Sequence, residues 1–282
     1  MRPAQQNPRV TRRRFLGLGM AGLVSTLAAD CLWFEPQALE LTQLQLPSGF
    51  AGAPVRILQI SDLHLSTFNG YLAKVAEQAT GLRPDIIVLT GDYLEEQRNI
   101  RGVLDFFRQL KAQYGIYAVQ GNWEYWSRLE GENLRRHFAR AGVQLLINER
   151  VDVRIGAHHL SILGLDYPSG SDHLKTLMQL SVPDRFNLLL SHVPAFSHQY
   201  LEAHIGLVLC GHTHGGQVRL PWVPPFYLPR YAGRFVSGLY HVSAHHTPLY
   251  VNRGVGTSVL PIRFLCRPEL TLFTLGEPAA QT

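Results

Sequence analysis

The chain has 282 residues, 46% hydrophobic and 17% charged, a balance that excludes disorder. Three cysteines are too few for a disulfide framework. The formal charge is +5, but Arg2, Arg9, Arg12, Arg13 and Arg14 precede residue 29 with no acid among them, so the rest is neutral. That distribution argues against an electrostatic nucleic-acid binder.

The amino-terminal stretch "TRRRFLGLGMAGLVSTLAAD" places arginines before an apolar run from Phe15 to Ala29 that ends in small residues, the layout of an export signal. The order Thr11, Arg12, Arg13, Arg14, Phe15, Leu16 resembles a twin-arginine signal. Apolar character resumes in "CLWF" after Asp30, so an uncleaved single-span anchor is the alternative for residues 1–30. Cys31 follows an aspartate, which argues against a lipoprotein, and "GLGMAG" follows arginines rather than a strand, which argues against a dinucleotide loop. A linker is expected over 31–53, then one domain over 54–276 and a tail over 277–282.

From Pro54 on, a pattern recurs. "VRILQI" runs into "SDLHLS", "DIIVLT" into "GDYLE", "GIYAVQ" into "GNWEYW", "FNLLL" into "SHVP", and "GLVLC" into "GHTHGGQ". Short, continuous apolar runs read as strands buried on both faces. Between the first three, periodicity predicts helices over Tyr71–Gly81, Ile100–Tyr114 and Gly131–Ala141. Strand–helix–strand order implies parallel strands with ligands beyond their carboxyl ends, where all the polar loops fall. "VQLLINE", "VDVRIGA" and "HHLSILGLD" read as antiparallel strands, and "LYHVS", "LYVNRG", "PIRFL" and "ELTLFTL" as further strands. Two sheets packed on one another with helices outside are expected. Cys210 reads as a small buried hydrophobe, a Cys210–Cys266 pair being the alternative.

The loops collect Asp62, His64, Asp92, Asn122, His192, His212 and His214. Three oxygen donors and four imidazoles at one sheet edge suit two borderline divalent ions, with mixed N/O ligation favouring Mn, Fe, Ni or Zn over Ca. A lone histidine at a strand end is more often a hydrogen-bonded structural residue; five such loops in one place favour the metal. His158, His159, His245 and His246 are read as strand residues away from the site.

DxH, GD, GN, a lone His and GHxH, in that order, resemble the calcineurin-like metallophosphoesterases over Val55–Leu275. "GHTHGGQVRLPW" and the tail from "NRGVGT" look like the branch with exported bacterial members and lipid-associated hydrolases. The resemblance implies a four-layer αββα sandwich, two mixed sheets flanked by helices, with a dinuclear centre at the strand ends. Asp62, His64, Asp92 and His214 would hold one ion, and Asp92, Asn122, His192 and His212 the other. Two such ions would activate a water between them for attack on a phosphoester or phosphoanhydride.

The family pattern breaks at "GNWEYW": Trp123 stands where the family carries a histidine thought to protonate the leaving group, and an indole is no acid. His64 or Glu124 is the expected substitute, and a metal-containing binding protein without turnover is the competing reading. Downstream, "PWVPPFYLPRYAGRFVSGLY" reads as a packed surface loop or an apolar shelf for acyl chains, with Arg219, Arg230 and Arg234 as candidate phosphate-binding residues. A lipid-linked phosphate substrate, the membrane surface and the twin-arginine machinery are the expected partners of a monomer outside the cytoplasm.

Overall fold

The computed structural model describes residues 11–50, 52–196, 201–202 and 204–277; Arg2, Arg9 and the tail after Glu277 lie outside them. The helix α1 (Arg12–Ala29) starts at Thr11, whose side chain accepts from the Arg14 amide, and buries none of its residues. Helical turns carry it on, so that Arg12–Gln37 is long and apolar enough to cross a membrane, with a mean hydropathy of 1.6.

The segment expected to be a linker is folded in part. It contains β1 (Glu40–Leu46), an edge strand that pairs in parallel with the last strand, β12 (Glu269–Leu275). Three of the seven β1 residues are exposed and only one is buried, so "ELTQLQL" lacks the continuous apolar run that marks the inner strands. The domain therefore begins well before residue 54.

The inner strands match their apolar runs. In the first sheet, β2 (Val55–Ile60), β3 (Ile86–Thr90), β4 (Ile116–Val119) and β5 (Val143–Leu145) lie parallel, in the order β1-β12-β2-β3-β4-β5. Their crossovers are the helices α2 (Gly70–Gly81), α3 (Ile100–Gln109) and, after a short α4 (Asn122–Trp126), α5 (Gly131–Ala139). "VQL" is thus a parallel strand rather than an antiparallel one, because α5 carries the chain back before it starts. The second sheet holds β6 (Glu149–Ile155), β7 (His158–Leu165), β8 (Phe186–Ser191), β9 (Ile205–Cys210), β10 (Gly238–Val242) and β11 (Thr247–Val251), in the order β10-β11-β9-β8-β7-β6. Helix α6 (Ser171–Met178), not foreseen, links β7 to its parallel neighbour β8.

Three apolar layers hold these elements together. Ile57, Val88 and Val119 meet Ile162, Leu190 and Leu209 between the sheets. Val75, Phe106, Phe107 and Phe138 pack the helices on the first sheet, and Leu174 and Leu177 pack α6 on the second. The result is the expected four-layer αββα sandwich. Its interior requires non-polar burial at about 25 cal/mol per Å², which the continuous runs supply.

Two expectations fail locally, and one alternative is excluded. His245 and His246 lie in the turn joining β10 to β11, not on a strand. Cys210 is the small buried residue expected and forms no disulfide with Cys266, whose thiol donates to the His214 carbonyl at 3.3 Å. "PIRFL" forms no strand beyond an isolated bridge between Phe264 and Val218. Its Arg263 is fully buried and donates only to the carbonyls of Arg253, Gly254, Gly256 and Cys266. That guanidinium knots together a loop whose Val255 and Gly256 amides hold the Ser61 and Asp62 carbonyls. Arg263→Met strands these acceptors at about 1–3 kcal/mol each where water cannot reach. The expected result is a loss of at least about 3 kcal/mol, read from the urea midpoint; a loss below 1 kcal/mol would show that the knot is dispensable.

Candidate metal centre

Every predicted ligand sits just beyond a strand's carboxyl end: Asp62 and His64 after β2, Asp92 after β3, Asn122 after β4, His192 after β8, His212 and His214 after β9. All are buried. Five of them turn the chain in the left-handed region, Asp62, His64, Asp92, His212 and His214 having φ between 43° and 74°. Such backbone costs non-glycine residues roughly 1–3 kcal/mol each and persists where the surroundings over-determine it. Gly91 takes part in these turns with φ 92°, while the neighbouring Gly121 and Gly211 provide space. A Cβ on Gly211 would lie 2.0 Å from Ser61 Oγ and 2.3 Å from Asp62 Oδ2, and one on Gly121 2.2 Å from Asp92 Oδ1.

Two groups of donors result: Asp62, His64 and His214, and Asp92, His192 and His212, each able to hold an ion. In the second, His192 Nδ1 lies 2.7 Å from the Thr90 carbonyl and His212 Nε2 2.7 Å from the Arg230 carbonyl. A carbonyl only accepts, so those nitrogens carry the protons and the opposite ring nitrogens present lone pairs. His192 Nε2 then faces His212 Nδ1 at 3.1 Å, Asp92 Oδ2 at 3.1 Å and Asn122 Oδ1 at 3.2 Å. Four acceptors turned on one another require a cation. In the first group His214 Nε2 is 2.9 Å from His64 Nε2 and 3.4 Å from Asp62 Oδ1.

Asp92 joins the groups. Its Oδ2 is 3.1 Å from His192 Nε2 and 3.6 Å from His64 Nε2, while Oδ1 accepts the Trp123 amide at 2.9 Å. Burial opposes the charged form of His192, but the Asp92 and Asp62 charges raise it to about 9. Burial lifts Asp62 to about 6, and at Asp92 the same effect is outweighed by His192 and His64, which bring it to about 2. Burial pushes His212 down to about 4 and His214 well below the ordinary range, keeping both in the neutral form that metals bind.

Glu124 is not placed to hand a proton to a substrate. It is fully buried, Oε2 accepting the Asp92 and Gly121 amides at 3.0 and 2.8 Å and Oε1 the Tyr93 amide at 2.8 Å. It fixes the two loops that carry Asp92 and Asn122. Burial, and then the Asp92 charge, raise it to about 7. Trp123 stands edge-on to the His64 ring at 5.6 Å, and Trp126 extends that wall, 5.2 Å from Trp123.

The three arginines are not brought together at the donors. Arg230 reaches the site through its carbonyl, exposed Arg234 lies over the neighbouring Phe235, and Arg219 donates to the Gly215 carbonyl at 3.3 Å. Sequence reasoning also missed an aromatic row, Tyr125–Tyr167–Phe196–Tyr231, with ring centroids 5.0 to 6.4 Å apart. Tyr125 is pinned by Asp166 at 2.6 Å, so "EYW" and "DYP" were its signals. A groove of about 700 Å³ runs from Leu32 and Pro36 past Tyr71 and Val255 to His64, whose side chain is covered.

Residues 55–216 match the family model of the calcineurin-like phosphoesterases. An uncharacterized metallophosphoesterase of Bacillus subtilis, YkuE, is 32% identical, covering 95% of this chain and 98% of its own. The phosphodiesterase YaeI of Escherichia coli is 30% identical, over 94% of this chain and 99% of its own. The UDP-2,3-diacylglucosamine pyrophosphatase LpxG of Chlamydia trachomatis is 29% identical, over 94% and 100%. Among solved structures, the sulfate thiohydrolase SoxB of Thermus thermophilus shares the fold, with a TM-score of 0.50, 12% identity, and coverage of 80% of this chain and 57% of its own. With its ordered ligand loops, its double sheet and a family match over more than half its length, the chain belongs to the calcineurin-like phosphoesterase family.

Proposed function

We propose that this protein is an exported, membrane-held hydrolase that cleaves phosphodiester or phosphoanhydride bonds of lipid-linked substrates with two divalent ions. The observation that carries the dinuclear reading is the Asp92 Oδ2 atom shared by both donor groups. Asp62, His64, Asp92 and His214 would hold one ion, and Asp92, Asn122, His192 and His212 the other; Mn, Fe, Zn or Ni suits this donor set. When bound, such a pair lowers the pKa of water and neutralises charge gained by phosphoryl oxygens. The chain's own part is to fix the donors through Glu124, Thr90 and the Arg230 carbonyl, and to exclude water with Trp123. The lipid-linked substrate is supported by the exposed apolar helix and by similarity to a pyrophosphatase whose name specifies a diacylated sugar nucleotide. The Arg12–Arg14 run ahead of that helix supports twin-arginine export to an extracytoplasmic site.

The test is turnover of bis(p-nitrophenyl) phosphate by the purified full chain with Mn, compared with a chelated sample. Metal-dependent release of nitrophenol is expected. Metal binding without turnover would favour the second reading, a binding protein, which the Trp123 position alone motivates.

Trp123 also predicts a leaving-group bias. With an indole beside His64, His64 itself assigned to an ion and Glu124 sequestered, none of the described side chains there supplies the roughly 10²–10⁴-fold that a positioned acid gives. Rates should fall steeply as the leaving-group pKa rises, aryl esters and anhydrides outrunning alkyl esters. Trp123→His should raise alkyl phosphodiester turnover at least tenfold and flatten that dependence; a flat dependence in the unaltered chain would refute the bias.

A further inference from the structure

Apolar side chains are exposed together on one face. Trp33 and Phe34 lie at the foot of the amino-terminal helix, Val259 (79% exposed), Leu260 and Leu265 in the loop before β12, and Trp222 (100%), Leu220 and Phe226 in the loop after β9. Hydrogen bonds make the three pieces one unit. The buried Glu35 carboxylate accepts the Leu265 and Cys266 amides, and the Arg263 amide donates to the Cys31 carbonyl at 3.0 Å. The Arg219 amide donates to the Phe264 carbonyl at 2.8 Å, and Gln217 Nε2 to the Leu260 carbonyl at 3.1 Å. The unit ends at the metal centre. Cys266 holds the His214 carbonyl through its thiol, and Pro225 packs so closely on Gly216 that a Cβ there would lie 2.6 Å away.

We propose that this face rests on a lipid bilayer, with Trp222, Leu260 and their neighbours at headgroup depth, so that the metal centre is held beside the lipid phosphates of that leaflet. A bilayer is the fitting occupant because the helix leaving this face is a 26-residue apolar segment with none of its window buried, longer than the ~20 residues a crossing needs. Trp and Tyr favour that interface, and the Glu35 clamp leaves the domain no free tether on which to swing away. The substrate side of this inference rests on the lipid-phosphate reading above; the docking side does not.

The full chain has four tryptophans, so Trp33→Phe, Trp123→Phe and Trp126→Phe together leave Trp222 as the reporter. In phosphatidylcholine–phosphatidylglycerol vesicles with bromine near the glycerol end of the acyl chains, its emission should fall at least twofold against unbrominated vesicles. Should the triple variant misfold, the bromine-sensitive emission lost in Trp222→Phe alone reports the same quantity. Trp222 emission indifferent to bromine overturns the proposal. In a second arm, Trp222→Asp with Leu260→Asp should lower the ratio of turnover of vesicle-embedded diacylglycerol p-nitrophenyl phosphate to that of soluble bis(p-nitrophenyl) phosphate at least tenfold. An unchanged ratio overturns the placement of the centre at the lipid phosphates. Quenching without turnover of either ester leaves the docking standing and removes the hydrolase reading instead.

Discussion

Asp92→Asn should reduce phosphodiester turnover beyond the roughly 10²–10³-fold that loss of one transition-state donor costs, and should lower metal content from two ions per chain to one or none. The reason is local. Among the described residues, Oδ2 is the one carboxylate oxygen within reach of His64 on one side and His192 on the other, at 3.6 and 3.1 Å. An amide keeps the shape and the bond from the Trp123 amide to Oδ1, so the fold should survive. It removes the negative charge that two bound cations would share. Elemental analysis beside kinetics checks this: two ions retained with less than a tenfold loss would show that the groups do not depend on a bridge.

Glu124→Ala should cost about 10- to 100-fold in metal affinity or activity, the range for outer partners of metal ligands. Three amides lose their acceptor at once, those of Asp92, Gly121 and Tyr93. Glu124→Gln should do little better, because its NH₂ must face an N–H. A positioning role and a proton-donating role separate in the pH profile. If Glu124 only holds the loops, the variants titrate with the limbs of the unaltered protein at lower amplitude, and excess metal restores part of the rate. Loss of the alkaline limb, with metal affinity unchanged, would reinstate it as the acid.

The site was legible because its chemistry is written in residue types that strand ends rarely combine. "SDLH", "GD", "GN", "SH" and "GHTH" each follow an apolar run, and parallel topology carries all the runs' ends to one edge. What the sequence hid is tertiary. β1 is a strand because β12 offers it an edge, not because "ELTQLQL" insists on one. Arg263 looks like an ordinary surface arginine until four carbonyls surround it. The role of Glu124 depends on amides 31 and 32 positions away in the chain, which no spacing rule foresees. Arg219, Arg230 and Arg234 carry the charge a phosphate needs, yet what meets His212 is a main-chain oxygen.

Glu35 also sets a boundary for maturation. A processing protease cutting after Ala29 would remove α1 and leave Glu35 in the mature polypeptide, still accepting the Leu265 and Cys266 amides. A cut after Gln37 would delete that acceptor and slacken the strap that ends on the His214 carbonyl. A cut that spares this acceptor has to fall upstream of Glu35.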